Sequence, residues 1–389
     1  MKRKAMIFIL LIMAVLAATA QTTLQFTSPM PKDARSMGMG GAFRVFSQGY
    51  SSFFGNPAGF AGMSSLTLMD MSTWAYLAPT SENLGRVQSI VSGSASNSDI
   101  MGWAGDWLAK NNGLGAGMSM GAGWVGAKGI SIGFNVITDE LAQGNSVLGA
   151  KLISSTQGNA VLGLAYPIQL GPVWLKVGVD GRVFYRMQSD PTTGWPFSTI
   201  LNKVLDNSFS PSDLTFFGGY GFGADAGVIL GLGPIMFGFT ARDFGLEFKV
   251  GQFTAQDIVD KTISAFPLAG TIPAALTPSY AAGIGIKLFE NGLFEPAVYA
   301  EVDDPMSIFS SSDMLSTAFN SLHAGMQLRL LRFLSVRAGL NKGWYSLGAG
   351  LDLSLFEFDT AIFTEELGMY PGDKGRSGIA IQGAIRFGR

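Results

Sequence analysis

The chain has no cysteine, one histidine and little charge. Without cysteine there is neither a disulfide framework nor a lipid-anchored N-terminal Cys. With His323 as the one histidine, the usual zinc ligand sets are out of reach, and no metal or cofactor is expected. Charged residues make up 14% of the 389, where ordinary soluble domains carry about 25%. The balance is mildly acidic, which argues against a nucleic-acid partner. Long hydrophobic runs are also missing. Past residue 20 no stretch gives a clean helix of ~20 apolar residues, and the nearest, Ala160 to Leu175, is broken by Pro167 and Gly171-Pro172. What is abundant is glycine (52) and phenylalanine (29), with a mean hydropathy of +0.29. A chain this poor in charge, without a spanning helix, has one other way to sit in lipid, a closed barrel of alternating strands.

The first twenty residues have a positive start (Lys2, Arg3, Lys4), an apolar core from Ala5 to Leu16 and a small-residue end, Ala18-Thr19-Ala20. These are the three parts of a secretory signal peptide, cleaved after Ala20. A membrane anchor is the weaker alternative, because the apolar run is short. Loss of Lys2, Arg3 and Lys4 takes the formal charge from −2 to −5.

Two-residue alternation then recurs along the chain. It is clearest from Val173 to Tyr185, where Val173, Leu175, Val177, Val179, Val183 and Tyr185 share one face and Lys176, Asp180, Arg182 and Arg186 the other. In a barrel the first set meets lipid and the second the lumen. Further segments are Ser65 to Tyr76, Leu114 to Trp124, Ile130 to Val136, Ala160 to Tyr166, Tyr220 to Leu230, Ile235 to Ala241 and Tyr280 to Leu288. The pattern continues in Phe294 to Val302, Leu322 to Leu330, Leu334 to Leu340, Tyr345 to Leu355, Phe356 to Ile362 and Ile379 to Phe387. That makes fourteen antiparallel strands, with Arg329 and Arg337 among the later inward charges. Inward charges of both signs are expected to pair across strands or with the segment enclosed by the barrel. A serine at Gly178, on the inward face, is expected to be mild.

Connection lengths test the count. If the first strand runs outward, long external loops should alternate with tight periplasmic turns. The long ones are expected at Leu77 to Asn112, Asp139 to Asn159, Gln188 to Gly219, Asp243 to Ser279 and Asp303 to Ser321. A fifteenth segment, Val147 to Ser155, alternates poorly and is assigned to the second loop. Short loop helices are expected at Ser98 to Lys110, capped by Asn97 or Ser98, and more weakly at Thr199 to Leu205, Thr254 to Phe266 and Met306 to Phe319. They are read as packing at the barrel mouth.

Residues 33–62 follow neither period. Gly38, Gly40 and Gly41 admit positive φ or close approach to a wall. Six aromatics follow: Phe43, Phe46, Tyr50, Phe53, Phe54 and Phe60, with Arg35 and Arg44 the only positive charges. Asn56-Pro57 fixes a turn. An irregular segment so rich in phenylalanine needs enclosure, and the barrel supplies it. The expected organisation is a signal peptide (1–20), an N-terminal tail and plug (21–64) and a barrel (65–389). Catalysis finds little to work with. His323 has no nominated partner for a triad, the pair Glu357 and Asp359 reads as charge balance on a wetted wall, and the glycine clusters at Gly38 and Gly219 lack a βαβ setting. No catalytic residue is assigned.

Ala34 to Phe43, followed by Asn56-Pro57-Ala58-Gly59-Phe60, resembles the N-terminal hatch of the FadL and PorV-like outer-membrane barrels. In that family an Asn-Pro-Ala motif lies in a small plug inside a fourteen-stranded barrel. The resemblance implies an outer-membrane protein, inserted by the barrel-assembly machinery, that passes hydrophobic molecules such as long-chain fatty acids and releases them sideways. Asn56, Pro57 and Ala58 would take the motif's role in the plug. A PorV-like scaffold or shuttle for secreted surface proteins is the alternative it implies. Two features depart from the pattern: Gln21 to Lys32 precede the plug motif, and the last strand ends Phe387-Gly388-Arg389 instead of on an aromatic. Gly40 and Gly41 would give the plug mobility, so valine at both is expected to impair uptake while the barrel still assembles.

Overall fold

The computed structural model describes residues 23–190, 193–261, 270–289 and 292–388. The expected signal peptide lies outside the described residues, as does the end of the expected helix Thr254 to Phe266. Fourteen strands form the wall: β1 (Ser65–Tyr76), β2 (Leu114–Val125), β3 (Ile130–Gln143), β4 (Lys151–Leu170), β5 (Val173–Gln188), β6 (Thr215–Leu232) and β7 (Ile235–Gly245). They continue as β8 (Ser279–Lys287), β9 (Phe294–Asp303), β10 (Leu322–Leu330), β11 (Leu334–Asn341), β12 (Trp344–Leu353), β13 (Phe356–Glu366) and β14 (Gly375–Phe387). Each pairs antiparallel with the next, and β14 pairs with β1, so the sheet closes and has no free edge.

The alternation sets the two faces. Met118, Trp124, Phe134, Val179, Val183, Phe237 and Ile284 point outward, while Asp180, Arg182, Arg186, Asp225, Arg337 and Asp359 are buried within. Because the period is two, a slip of one residue would turn every charge into lipid, and the register is specified strongly. The barrel interior holds the core. Aromatics of residues 33–62 pack there against Trp74, Tyr76, Val125, Val161 and Phe363 on one side, and against Ile229, Met236, Ala281 and Tyr299 on the other.

One expected loop is not a loop. Asp139 to Asn159 forms the upper halves of β3 and β4, joined in register from Asn135–Asn159 up to Gln143–Lys151, so the connection is only residues 144–150. Ser154, Ser155, Thr156 and Gln157 belong to a wall that rises beyond the apolar band. There neither face meets lipid, and the strand carries no hydrophobic alternation to read. The other long connections stand at the same end of the barrel, which by the habit of outer-membrane barrels is the external one.

Short helices occupy these connections: α2 (Ser81–Val91), α3 (Asn97–Asn111), α4 (Phe197–Leu205), α5 (Ala255–Lys261), α6 (Pro305–Ser310) and α7 (Met314–Ser321), after α1 (Ala34–Gly38) in the plug. The cap of α3 is Ser96, not Asn97 or Ser98. Its side chain accepts from Asp99 N while Asp99 accepts from Ser96 N, a capping box. Trp107 donates to Asn83 at 2.7 Å and ties α3 to α2, a helix the sequence reading missed. A small sheet completes this end: Leu24–Phe26 lies parallel to Ile272–Leu276, which pairs with the start of Phe248–Thr254, and the end of that strand adds to β6.

Depth decides what a charge on the outer face costs. Val179→Arg, near the middle of β5, should lower stability by about 2–4 kcal/mol, and Leu170→Arg, beside the short turn after β4, by roughly 0–1. Unfolding in lipid vesicles measures both, and equal costs would show the band to be misplaced.

Candidate functional site

The plug is fixed by its ends and by carboxylates from the wall. Asp33 caps α1, accepting from Ser36 N at 2.9 Å. Burial pushes the Asp33 carboxyl above its ordinary range, opposed by that backbone N–H. Burial also lowers the Arg35 guanidinium, which lies over the Phe43 ring at 4.1 Å. The chain then turns through Gly40 (φ 70), Gly41 (φ 84) and Phe43 (φ 107). That strained turn leaves three successive N–H groups converging on one anion. Glu301 of β9 accepts from Phe43 N at 2.8 Å, Arg44 N at 3.0 Å and Val45 N at 3.1 Å. The Phe43 ring meets Tyr299 edge-on at 5.5 Å.

Asn56 is a second anchor. Its side-chain amide donates to Val45 O at 2.9 Å, and to Phe239 O at 3.2 Å and Val228 O at 3.3 Å in the wall, while its Oδ1 accepts from Ala58 N at 2.9 Å. Pro57 opens a 3-10 turn, Pro57–Phe60, where its missing N–H costs nothing. Phe46, Phe53, Phe54 and Phe60 are all buried.

The wall admits this backbone because inward glycines clear a path for it. Gly123 and Gly133 face Phe53, Gly163 faces Phe60, Gly178 and Gly227 face Pro57 and Asn56, Gly238 and Gly283 face Phe46, and Gly325 and Gly339 face Met39. A Cβ on Gly38 would stand 2.9 Å from the Cα of Gly348, so plug and wall touch glycine to glycine. Ten of the fourteen strands thus carry a glycine at plug level, a ring invisible to a search for hydrophobic or charged positions. This overturns the expectation for Gly178. A side chain there would put Cβ 2.3 Å from Pro57 C and 2.4 Å from Ala58 N. A Cβ on Gly40 would likewise stand 2.6 Å from the Leu340 backbone, and one on Gly41 2.7 Å from the His323 ring.

The inward charges fall into separate groups. Arg182 pairs with Asp225 at 2.9 Å and with Asp243, Arg242 pairs with Asp225 at 3.0 Å and donates to Phe54 O in the plug, and Asp243 accepts from Ser28 at 2.8 Å. Asp180 lies opposite Asp225 in register, and neither of its oxygens is hydrogen-bonded among the described residues. Arg186 is held at the external end, donating to Thr27 O (2.7 Å) and Gln188 (2.7 Å) with Phe26 beneath it. Arg337 binds Asp359 and Gln327, and Arg329 binds Asp352 near the short turns. Lys176 leans on Trp174 at the same end. The sequence reading did not single out Asp243 and Asp303, since both lie where strands give way to loops and alternation ends.

Two spaces flank the plug. A lumenal cavity of about 410 Å³ opens toward the long loops, floored by Ser47, Tyr50, Ser51, Phe54 and Gly55 and walled by Met30, Met37, Lys32, Arg44, His323, Lys342 and Arg376. On the lipid side of the wall, an apolar groove of about 480 Å³ runs between Leu164, Tyr166, Val177, Val179, Val228 and Phe239. Its floor includes Gly178 and Gly227, the residues that touch Pro57 and Asn56 from within. Gly178→Ser should therefore unseat the plug at a cost of about 1–3 kcal/mol. A lower denaturation midpoint in micelles and a new leak conductance are expected. Parental values for both would disprove this packing.

No protein-family model and no curated protein matches the chain. Among solved structures it is similar to the CymD monoaromatic hydrocarbon channel, with 14% identity over 94% of this chain and 99% of that one and a TM-score of 0.49. A Pseudomonas aeruginosa FadL homologue shares 13% identity over 93% and 99% of the two chains, with a TM-score of 0.44. The Pseudomonas putida toluene transporter TodX shares 12% over 94% and 99%, also at 0.44. By its own architecture, a closed barrel of fourteen antiparallel strands around an N-terminal plug that carries Asn56-Pro57-Ala58, the chain is similar to the FadL-type outer-membrane barrels.

Proposed function

We propose that the protein is an outer-membrane transporter that takes small hydrophobic, fatty-acid-like molecules into the lumenal cavity and releases them sideways into the bilayer. One observation carries this reading. The same stretch of plug, Ser47 to Pro57, floors the external cavity with Tyr50, Ser51, Phe54 and Gly55 and closes the wall behind the lipid-facing groove with Asn56 and Pro57. Cavity and groove are thus separated by one thickness of plug and one of glycine backbone. The cavity offers Met30, Met37, Tyr50 and Phe54 to an apolar body, while its charged rim is internally paired, Lys32 with Glu365 and both Arg44 and Lys342 with Asp303, so a ligand's polar end would share these cations with the protein's own carboxylates. An apolar molecule leaving through the groove goes from one apolar surface to another without crossing the short-turn end, where Lys176 and Lys287 line the exit to water.

Catalysis forms no part of the reading. The His323 ring contacts Gly40 O and Asp303 Oδ2, and among the described residues no serine hydroxyl lies in hydrogen-bond contact with it to serve as a nucleophile.

A second reading, a scaffold or shuttle for secreted surface proteins, is favoured by the external rim. There Met306, Phe309, Met314, Leu315 and Phe319 of α6 and α7 are exposed together. The two readings differ in what the barrel carries. Lipids co-purifying with detergent-solubilised protein, identified by mass spectrometry, should be a defined set for a transporter and none in particular for a shuttle.

Transport itself is tested at the groove. Val228→Trp fills it from the lipid side without touching the plug. Uptake of a labelled long-chain fatty acid should fall toward the level of empty vesicles, while heat-modifiable gel migration still reports an assembled barrel. Parental uptake by an assembled Val228→Trp protein would refute release through this wall.

A further inference from the structure

The plug is held at its turn by a histidine whose two contacts place opposite demands on one proton. His323, at the external end of β10, has Nδ1 2.8 Å from Gly40 O in the plug and Nε2 3.0 Å from Asp303 Oδ2 at the end of β9. Gly40 O is a carbonyl and only accepts. The Asp303 carboxylate also faces Arg44 Nη1 at 3.4 Å and Lys342 Nζ at 3.7 Å, so its oxygens are needed as acceptors. A neutral imidazole has one N–H and one lone pair, and only the imidazolium donates from both nitrogens. Satisfying Gly40 and Asp303 together therefore takes the doubly protonated ring.

Gly41 of the plug lies against one side of the ring, where a Cβ would stand 2.7 Å from Nδ1. The charged groups around it come from three directions: Glu301 and Asp303 from β9, Arg44 from the plug and Lys342 from the turn between β11 and β12. With the ring charged, two carboxylates are set against three cations. With the ring neutral, the groups balance, but one ring nitrogen must present a lone pair to an acceptor. His323 also lines the external cavity, so protons reach it from the outside medium.

We propose that His323 is a proton-operated latch on the plug. Protonated, it donates from Nδ1 to Gly40 O in the plug and from Nε2 to Asp303 in the wall. Loss of one proton leaves the remaining N–H on the carboxylate, the stronger acceptor, and gives up the bond to Gly40 O, which loosens the plug where it borders the cavity. Because His323 faces the external cavity, the latch would read the acidity of the cell's surroundings. The inference concerns how the plug is seated and does not depend on what the barrel carries.

One histidine in the chain makes the test clean. Protein labelled with ¹⁵N-histidine and freed of any affinity tag should give one pair of ring signals in micelles. Those signals should show two protonated nitrogens near pH 5.5 and one near pH 8.5. Over the same interval, opening events in planar bilayers should become more frequent. In His323→Gln, checked for assembly by heat-modifiable migration, their frequency should no longer vary with pH. A ring that does not titrate between those limits overturns the latch. So do openings indifferent to its titration, or an unchanged pH response in His323→Gln. The titration and the openings of the parental protein need no variant, so a failure of His323→Gln to assemble leaves two decisive readings.

Discussion

The contact between an irregular plug and the bare backbone of the wall is the constraint on which the rest depends. Fourteen strands enclose a space that side chains alone do not fill, and residues 33–62 fill it with main chain as much as with aromatics. Main chain brings unpaired N–H and C=O groups into a dry interior, where each left unsatisfied costs about 1–3 kcal/mol. The wall answers with a few polar side chains in fixed places. Glu301 takes three N–H groups, Arg242 takes Phe54 O, Thr240 reaches Gly55 O, and Asn56 in return takes the carbonyls of Val228 and Phe239. None of these bonds has the right length unless plug and strand stand at backbone distance, which is what the inward glycines permit.

The same constraint explains which parts of the molecule could be read in its sequence. Strands that cross lipid must alternate, because one face is apolar and the other is not, and all fourteen segments were legible as far as the bilayer extends. Where β3 and β4 rise above it, as at Ser154 to Gln157, both faces carry polar residues and the code stops, so the strands look like loop. The plug was legible as a Phe-rich segment with Asn56-Pro57. Its partners were not, because a glycine such as Gly178 or Gly227 looks alike in sequence whether it faces a turn, a void or another backbone. The charges of β5 were legible as inward, but their division into groups depends on Asp225, Arg242 and Asp243, which neighbour Arg182 through a β-bulge in the β6–β7 ladder and not through regular spacing.

Charge is distributed with similar economy. The buried cluster of Arg182, Asp225, Arg242 and Asp243 lies on the groove side of the plug, and the Glu301, Asp303 and His323 group on the cavity side. Each touches the plug at a main-chain carbonyl or N–H. Ion pairs so deeply placed contribute little net stability by themselves. What they supply here is direction, since a carboxylate or guanidinium held by several partners fixes the atom it offers to the plug.

The pairing of distant ends bears on how the molecule is made. Lys32 meets Glu365 across 333 positions of sequence, and α1 rests against β12 and β13, near the far end of the chain. Such contacts are the slowest to form, because the loop they close is almost the whole chain. The segment synthesised first therefore waits for strands synthesised last, and its cavity exists only once β14 has met β1. Seating the plug thus depends on sealing the ring, and a chain interrupted before β12 would display a segment rich in glycine and phenylalanine with nothing yet built to enclose it.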